Sequence, residues 1–198
     1  MRIETVDYKI YTYDELSETA KEKVKEWLLE GREAEWFTDE CKMYLDKLFP
    51  GQELEVEYSL NYRQGDGFNI YGKISHKSLW EKVKDQFEGK EERFMSWVIN
   101  HYGYSYTMPQ NHGYGYCMNA HWNFVEGIID DMEYGCIRGI KYDIMEKFDN
   151  ACKSYMEKLC DDFEKSGYDY FYEISDEEAR ELCFMNGYEF MENGSIFW

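Results

Sequence analysis

Residues 53–74 read ELEVEYSLNYRQGDGFNIYGKI, and this stretch decides the fold class. Apolar and polar residues alternate over its first eight positions, as on a strand with one buried face. The apolar set is Leu54, Val56, Tyr58 and Leu60, and the polar set is Glu53, Glu55, Glu57 and Ser59. Residues 64–67, Gln-Gly-Asp-Gly, predict the turn, and Phe68 to Ile74 return as the partner strand. The stretch therefore predicts an antiparallel β-hairpin.

Helical periodicity surrounds this hairpin on both sides. The predicted helices cover residues 17–30, 33–48, 78–87, 91–102, 122–133, 137–164 and about 176–185. Further β structure is predicted at 3–12, within the extended segment 103–121, and in a hairpin over 188–198. Strands do not alternate regularly with helices, so a parallel doubly wound sheet is not expected. We expect an α+β fold in which antiparallel β-hairpins pack with several amphipathic helices, one of them the long helix near 137–164.

Local signals mark several element ends. Asp14 or Ser17 offers an N-cap for the first helix, and the run Ser175-Asp176-Glu177-Glu178 has the pattern of a capping box. Asn193-Gly194 is the preferred pair for a tight hairpin turn, because both central residues need positive φ.

The composition fits a folded protein. The chain has 198 residues, of which 43% are hydrophobic and 19% aromatic, so a single domain over 1–198 with a substantial core is expected. No apolar run approaches the ~20 residues that span a bilayer, and the N-terminal stretch has no signal-peptide pattern. Cys152 and Cys160 lie eight positions apart on one predicted helix, too far apart to bridge, and they are expected to be buried thiols in a reducing compartment. These features predict a cytoplasmic protein.

Acidic residues dominate the charge. The chain carries 41 Asp and Glu against 22 Lys and Arg, a net charge of −19. This surplus repels nucleic acid and anionic membrane surfaces, and it favours basic partners. Solubility alone is the other interpretation of such a charge.

Two segments are candidates for partner binding. In the turn, Arg63, Gln64 and Asp66 are either a recognition tip or simply residues that form the turn, since Gly supplies positive φ and Asp caps its own backbone. On the strand, Glu53, Glu55 and Glu57 recur about every 6.6 Å, a spacing comparable to that of phosphates along a nucleic-acid strand. Further acidic clusters include Asp161 and Asp162, and each has a second interpretation as an ordinary solvated face.

Histidines supply the remaining candidate site. His101, His112, Cys117 and His121 form a metal-like grouping, but their spacings of 11, 5 and 4 match no standard zinc motif, so no metal or other cofactor is predicted. No nucleophile elbow, phosphate-binding glycine loop or zinc-protease motif occurs, and we do not expect an enzyme.

Three segments resemble a group of small phage and prophage proteins of uncharacterised function. They are residues 11–22, Tyr58-Ser59-Leu60 with Gln64 to Phe68, and Gly187 to Phe190 with Glu192-Asn193-Gly194. Members of that group open with a Tyr/Phe-x-Asp/Glu-Glu-Leu-Ser helix start, carry a Ser-Gln-Gly-Asp-Gly turn and close on a Tyr-x-Phe-x-x-x-Gly hairpin. Arg63 stands where many members have Ser or Cys, and residues 80–135 have no counterpart. The resemblance implies a phage setting, and some members carry an antitoxin-like label.

Charge and resemblance together suggest a counter-defence protein. It would bind the basic nucleic-acid groove of a host enzyme, such as a CRISPR effector nuclease, and block it as a nucleic-acid mimic. Two alternatives stay open: an antitoxin-like or regulatory binding protein, and a small-ligand or metal-binding enzyme that uses His101, His112, Tyr114 and His121. Neither direct nucleic-acid binding nor membrane binding is expected. The aromatic content exceeds what a core needs, which leaves a homodimer open.

Overall fold

The computed structural model describes residues 2, 4, 6–110, 122–137 and 139–197. It confirms the predicted α+β class, with antiparallel strand pairs and one long helix. The elements are, in chain order, α1 (Glu18–Glu30), α2 (Ala34–Leu48), β1 (Glu53–Ser59), β2 (Gly67–Ser75), α3 (His76–Val83), α4 (Lys90–Tyr102), β3 (Ser105–Met108), α5 (Glu126–Tyr134), α6 (Tyr142–Tyr172), α7 (Asp176–Asn186), β4 (Glu189–Phe190) and β5 (Ile196–Phe197).

The chain divides into two compact units. A terminal unit comprises Met1–Trp36 and Gly167–Trp198, and a central unit comprises Phe37–Ser166. The expectation of a single domain over residues 1–198 stays a prediction.

The central unit contains a three-stranded antiparallel sheet in the order β1-β2-β3. Val56 lies opposite Ile70 in the register, and both side chains are buried, as the alternation in β1 predicts. Aromatic packing continues the core on this sheet, where the rings of Tyr58 and Phe68 stack at 5.5 Å and Phe37 of α2 meets Tyr58 edge-on. The predicted hairpin is thereby confirmed.

The terminal unit packs α1 and α7 with the β4–β5 hairpin. Its core consists of Tyr13, Leu16, Ala20, Val24, Ala179, Cys183 and Phe190. Both helices begin at predicted caps, since Ser17 Oγ accepts from the Ala20 amide at 3.3 Å and Ser175 Oγ accepts from the Glu178 amide at 3.1 Å. The carboxylate of Glu178 does not reach back to complete the second half of the predicted capping box, because it forms an ion pair with Arg32.

Several predicted boundaries are wrong. The strand predicted over residues 3–12 is absent from its described part, except for a single bridge between Tyr11 and Phe190. Val6, Tyr8 and Ile10 have the residue types of a strand, but they are exposed, and no strand within the described residues pairs with them. The long helix begins at Tyr142 instead of 137, because Gly139 takes a φ of +86° just before it, and the helix continues past 164 to Tyr172. The helix predicted from 122 begins at Glu126, and that predicted over 78–87 begins at His76 and passes into a 3-10 turn after Val83.

Candidate partner-binding surfaces

The three glutamates of β1 have different surroundings. Glu55 Oε2 lies 2.6 Å from Lys42 Nζ of α2, and this contact raises the pKa of the lysine. Glu57 Oε1 accepts from Asn69 Nδ2 at 2.7 Å. Glu53 is exposed and lies opposite Lys73 in the register. Because Lys42 offsets the charge of Glu55, the predicted stripe presents less uncompensated charge than its sequence indicates.

The turn residues separate into one structural side chain and two exposed ones. Asp66 accepts hydrogen bonds from Ser59 Oγ at 2.8 Å, from the Asn61 amide at 2.6 Å and from the Arg63 amide at 2.7 Å. Its carboxylate therefore holds the loop together, as the turn interpretation requires. Arg63 and Gln64 are exposed at the loop surface.

Asp66 and Asp161 both act on a third carboxylate, that of Glu164. Burial raises the pKa of Glu164, and the charges of Asp161 and Asp66 raise it further. The loop after β1 and the acidic side of α6 thus contribute to one local concentration of negative charge. Asp162 lines a separate cavity of 210 Å³, together with Phe37, Tyr44 and Phe163.

The histidine grouping lies largely outside the described residues. His112, Tyr114, Cys117 and His121 all fall in the 111–121 gap. Within the described part, His101 Nδ1 lies 2.8 Å from the carbonyl oxygen of Trp97, one helical turn earlier in α4. Among the described residues, no group of three or more His, Cys, Asp and Glu has a geometry that would hold a metal ion.

Cys152 and Cys160 are confirmed as buried, unbridged thiols. Burial raises the pKa of both thiols, so they are poor nucleophiles at neutral pH. Their role in the described structure is that of small apolar side chains in the core.

The terminal unit carries an apolar surface that the sequence predictions did not include. Phe184 and Met185 of α7 are 87% and 80% exposed. A signal for it exists in the sequence, because residues 182–185 are four consecutive apolar residues and a helix cannot turn all four towards one core.

A groove lies beside these two side chains, within the same unit. It has a volume of 450 Å³ and runs between α7, residues 12–14 and residues 187–189. Tyr13, Cys183, Phe184 and Tyr188 supply its apolar lining, and Asp14, Glu181 and Glu189 supply carboxylates. We call this cavity the α7 groove.

Negative charge is more concentrated in the terminal unit than in the central one. The terminal unit has 18 acidic and 7 basic residues, a net charge of −11, and the central unit has 23 and 15, a net charge of −8. The central unit is nearly twice as long, so its charge per residue is less than half as large.

Comparisons with known proteins give no relative: no family model, no curated protein and no solved structure matches this chain. Among the described helices, none has the length and apolar character needed to cross a membrane.

Proposed function

We propose that this protein binds a basic, nucleic-acid-binding surface of another protein and keeps nucleic acid away from it. The observation that carries this proposal is the location of the charge. All 41 acidic residues lie in the described part of the chain, and Asp149 is the one among them that is buried. Forty of the 41 acidic side chains are therefore not buried, in a folded, aromatic-rich protein whose net charge is −19.

Such a surface competes with nucleic acid for physical reasons. A negative field attracts a basic groove over a range of about 8 Å at physiological salt and speeds the encounter. A nucleic acid is held in the same groove largely by charge, so an acidic protein that reaches the groove first removes that interaction. Charge sets the rate and the class of partner, and apolar contacts must supply most of the lasting affinity.

The resemblance to small phage proteins supports a specific setting. We propose a counter-defence role, in which the target is a host enzyme that handles nucleic acid, with CRISPR effector nucleases as one example. The antitoxin-like label of some members of that group gives a second setting, in which the basic target is a toxin.

A competition experiment tests the proposal. The tagged full chain is used to capture proteins from a nuclease-treated host lysate, and the captured proteins are then challenged with a DNA duplex. We expect at least one captured protein that binds DNA by itself and is released both by excess duplex and by raising salt from about 0.1 M to about 0.5 M. Captured proteins that neither bind nucleic acid nor respond to the duplex would contradict the proposal. A small basic toxin among them would favour the second setting.

Matched variants show whether the predicted acidic residues matter beyond net charge. One variant combines Glu53→Gln, Asp161→Asn and Asp162→Asn, and its control combines Asp85→Asn, Glu88→Gln and Glu92→Gln, which are also exposed and lie in the central unit. Both remove three charges. If the first variant captures less partner protein than its control, the predicted residues contact the partner. Equal decreases in the two variants would contradict that assignment.

A further inference from the structure

The outward side of α7 has large apolar side chains that the protein core does not use. Ala179 and Cys183 anchor the helix in the core of the terminal unit and are almost fully buried. Phe184 and Met185 point away from that core and are largely exposed. Single exposed apolar residues are common, but an adjacent aromatic and methionine beside a groove match the side chains that protein interfaces favour.

The groove beside them is held in a defined shape by polar contacts. Tyr13 donates its hydroxyl hydrogen to Asp176 Oδ1 at 3.1 Å, and burial together with that carboxylate raises the pKa of Tyr13 to about 12. Arg180 Nε donates to Asp14 Oδ1 at 2.6 Å, and both residues line the groove. Gly187 ends α7 in the left-handed conformation, with a φ of +64°, and turns the chain towards Tyr188 and Glu189. Tyr13, Asp14 and Arg180 thus have defined partners before an occupant arrives, which reduces the entropy cost of ordering these three side chains on binding.

The negative charge in and around the α7 groove determines which kind of molecule can bind there. Of the three carboxylates that line the groove, Asp14 is already paired with Arg180, and Glu181 and Glu189 add two negative charges beside it. The whole terminal unit carries −11, so nucleic acid, an anionic membrane surface and a second copy of the same face are all repelled. A positively charged protein segment is the occupant that this field attracts.

We propose that the α7 groove, with Phe184 and Met185 at its side, docks a basic segment of the partner protein, in which an apolar side chain lies next to Lys or Arg. The apolar side chain packs on Phe184 and Met185. The cation meets Glu181 and Glu189 and lies against the aromatic lining. This inference rests on the proposed function for the partner's charge, and it adds the place of contact and the apolar anchor.

The test is a titration of the full chain, labelled with ¹³C at its methionine methyl groups, with a synthetic peptide of alternating Arg and Leu. We expect the Met185 signal to shift at lower peptide concentration than that of Met43, which is also exposed but lies in the central unit. An Arg-Gly peptide of equal charge should bind at least 10-fold more weakly, because it lacks the apolar anchor. Equal shifts at Met43 and Met185, or equal binding of the two peptides, would overturn the proposal.

Variants separate this site from general attraction between charges. Phe184→Ala with Met185→Ala should weaken the Arg-Leu peptide about 10-fold or more, and Glu181→Lys should weaken it further in low salt. The control, Tyr134→Ala with Met43→Ala, also removes an exposed aromatic and a methionine, and Tyr134 is 93% exposed. It should bind like the unaltered protein. Since all these side chains are exposed, unchanged circular dichroism and Tm are expected in every variant.

The two proposals fail in different ways. If the α7 variants lose peptide binding while duplex DNA does not release captured proteins, the docking site stands and the nucleic-acid competition is wrong. If duplex DNA releases a captured partner and the α7 variants retain that partner as well as the unaltered chain does, the competition stands and the docking site is wrong.

Discussion

At the scale of single residues, His76 has an unusual environment in the central unit. It is buried, with Nδ1 at 2.7 Å from the carbonyl oxygen of Tyr104 and Nε2 at 2.7 Å from that of Phe124. A neutral imidazole has a single N–H, so it donates to one of these oxygens and turns a lone pair to the other. Burial lowers the pKa of His76 by more than the two carbonyl groups raise it, so the ring is neutral at pH 7.

This environment makes the free energy of unfolding depend on pH. The unfolded chain takes up a proton at His76 near pH 6.5, and the folded chain does so only at lower pH. Stability should therefore fall as pH drops below about 6.5, until the folded-state pKa is reached. We expect an NMR titration to give a midpoint below 6.5 for His76. A midpoint above 6.5 would mean that the two carbonyl acceptors outweigh burial.

His76→Gln provides the matched variant. Losing the buried hydrogen bond of the neutral ring should cost about 1–3 kcal/mol at pH 7.5, measured by urea unfolding. The variant should also lose the part of the pH dependence between pH 7 and 5.5 that belongs to His76. Nothing in the local sequence marks this residue, because Ser75 and Lys77 on either side are polar, and the chain segments that enclose it lie 28 and 48 positions away.

At the scale of elements, local sequence patterns correctly predict a strand or a helix start where interactions between nearby residues determine it. The alternation over 53–60 gives β1, and the hydroxyls of Ser17 and Ser175 begin their helices where the N-cap rule places them. Residues 3–12 show the limit of this reasoning. Their β-branched and aromatic side chains suit a strand, but a strand also needs a neighbour, and the local sequence does not say whether one is present.

The β4–β5 hairpin gives a prediction at this scale. Gly194 has a φ of +82°, and a Cβ at this position would lie 2.5 Å from the carbonyl oxygen of Ala20 in α1. Gly194→Ala should therefore cost about 3 kcal/mol, from left-handed strain and the clash with a helix backbone that cannot move aside. The measurement is thermal or urea unfolding of the full chain.

Gly187→Ala is the control for this prediction. Gly187 also has positive φ, at +64°, but a Cβ there has no atom within 4 Å. It should cost only about 1 kcal/mol, the strain alone. Equal losses for the two variants would show that the hairpin does not press on α1 as closely as the geometry indicates.

At the scale of the whole molecule, the net charge of −19 opposes folding. Exposed carboxylates repel one another in the compact chain more than in the unfolded one, and salt screens that repulsion. We expect NaCl to increase the free energy of unfolding in urea, by about 1 kcal/mol between about 0.02 M and 0.3 M. A decrease with salt would mean that the surface ion pairs, such as Lys25 with Asp176, outweigh the repulsion.

A charge-reduced variant checks the cause of this salt effect. Glu26→Gln, Glu177→Gln and Glu192→Gln remove three exposed charges from the terminal unit, and the salt dependence should become smaller. An unchanged dependence would point to a cause other than repulsion between carboxylates.

Composition predicts this global charge, but it does not predict which acidic residues remain available to a partner. The carboxylate of Asp66 accepts hydrogen bonds from backbone amides of its own loop, and the carboxylate of Glu55 forms an ion pair with Lys42. Phe184 and Met185 emerge as a surface only once Ala179 and Cys183 are known to occupy the core. The packing of α7 on the core depends on contacts between residues more than 160 positions apart, such as Tyr13 with Asp176 and Tyr11 with Phe190. Local periodicity in the sequence cannot predict such contacts.

The assembly of the terminal unit from both ends of the sequence has a consequence for synthesis on the ribosome. Residues of α1 emerge early, but Ala179, Cys183 and Phe190, which cover them, are translated only after all of Phe37–Ser166. At about 5–20 residues per second, on the order of ten seconds separate the two events. During this interval the central unit is being translated and α1 lacks its packing partners from α7 and β4, so a chaperone or a target protein meets the nascent chain with part of the inner face of α1 still uncovered.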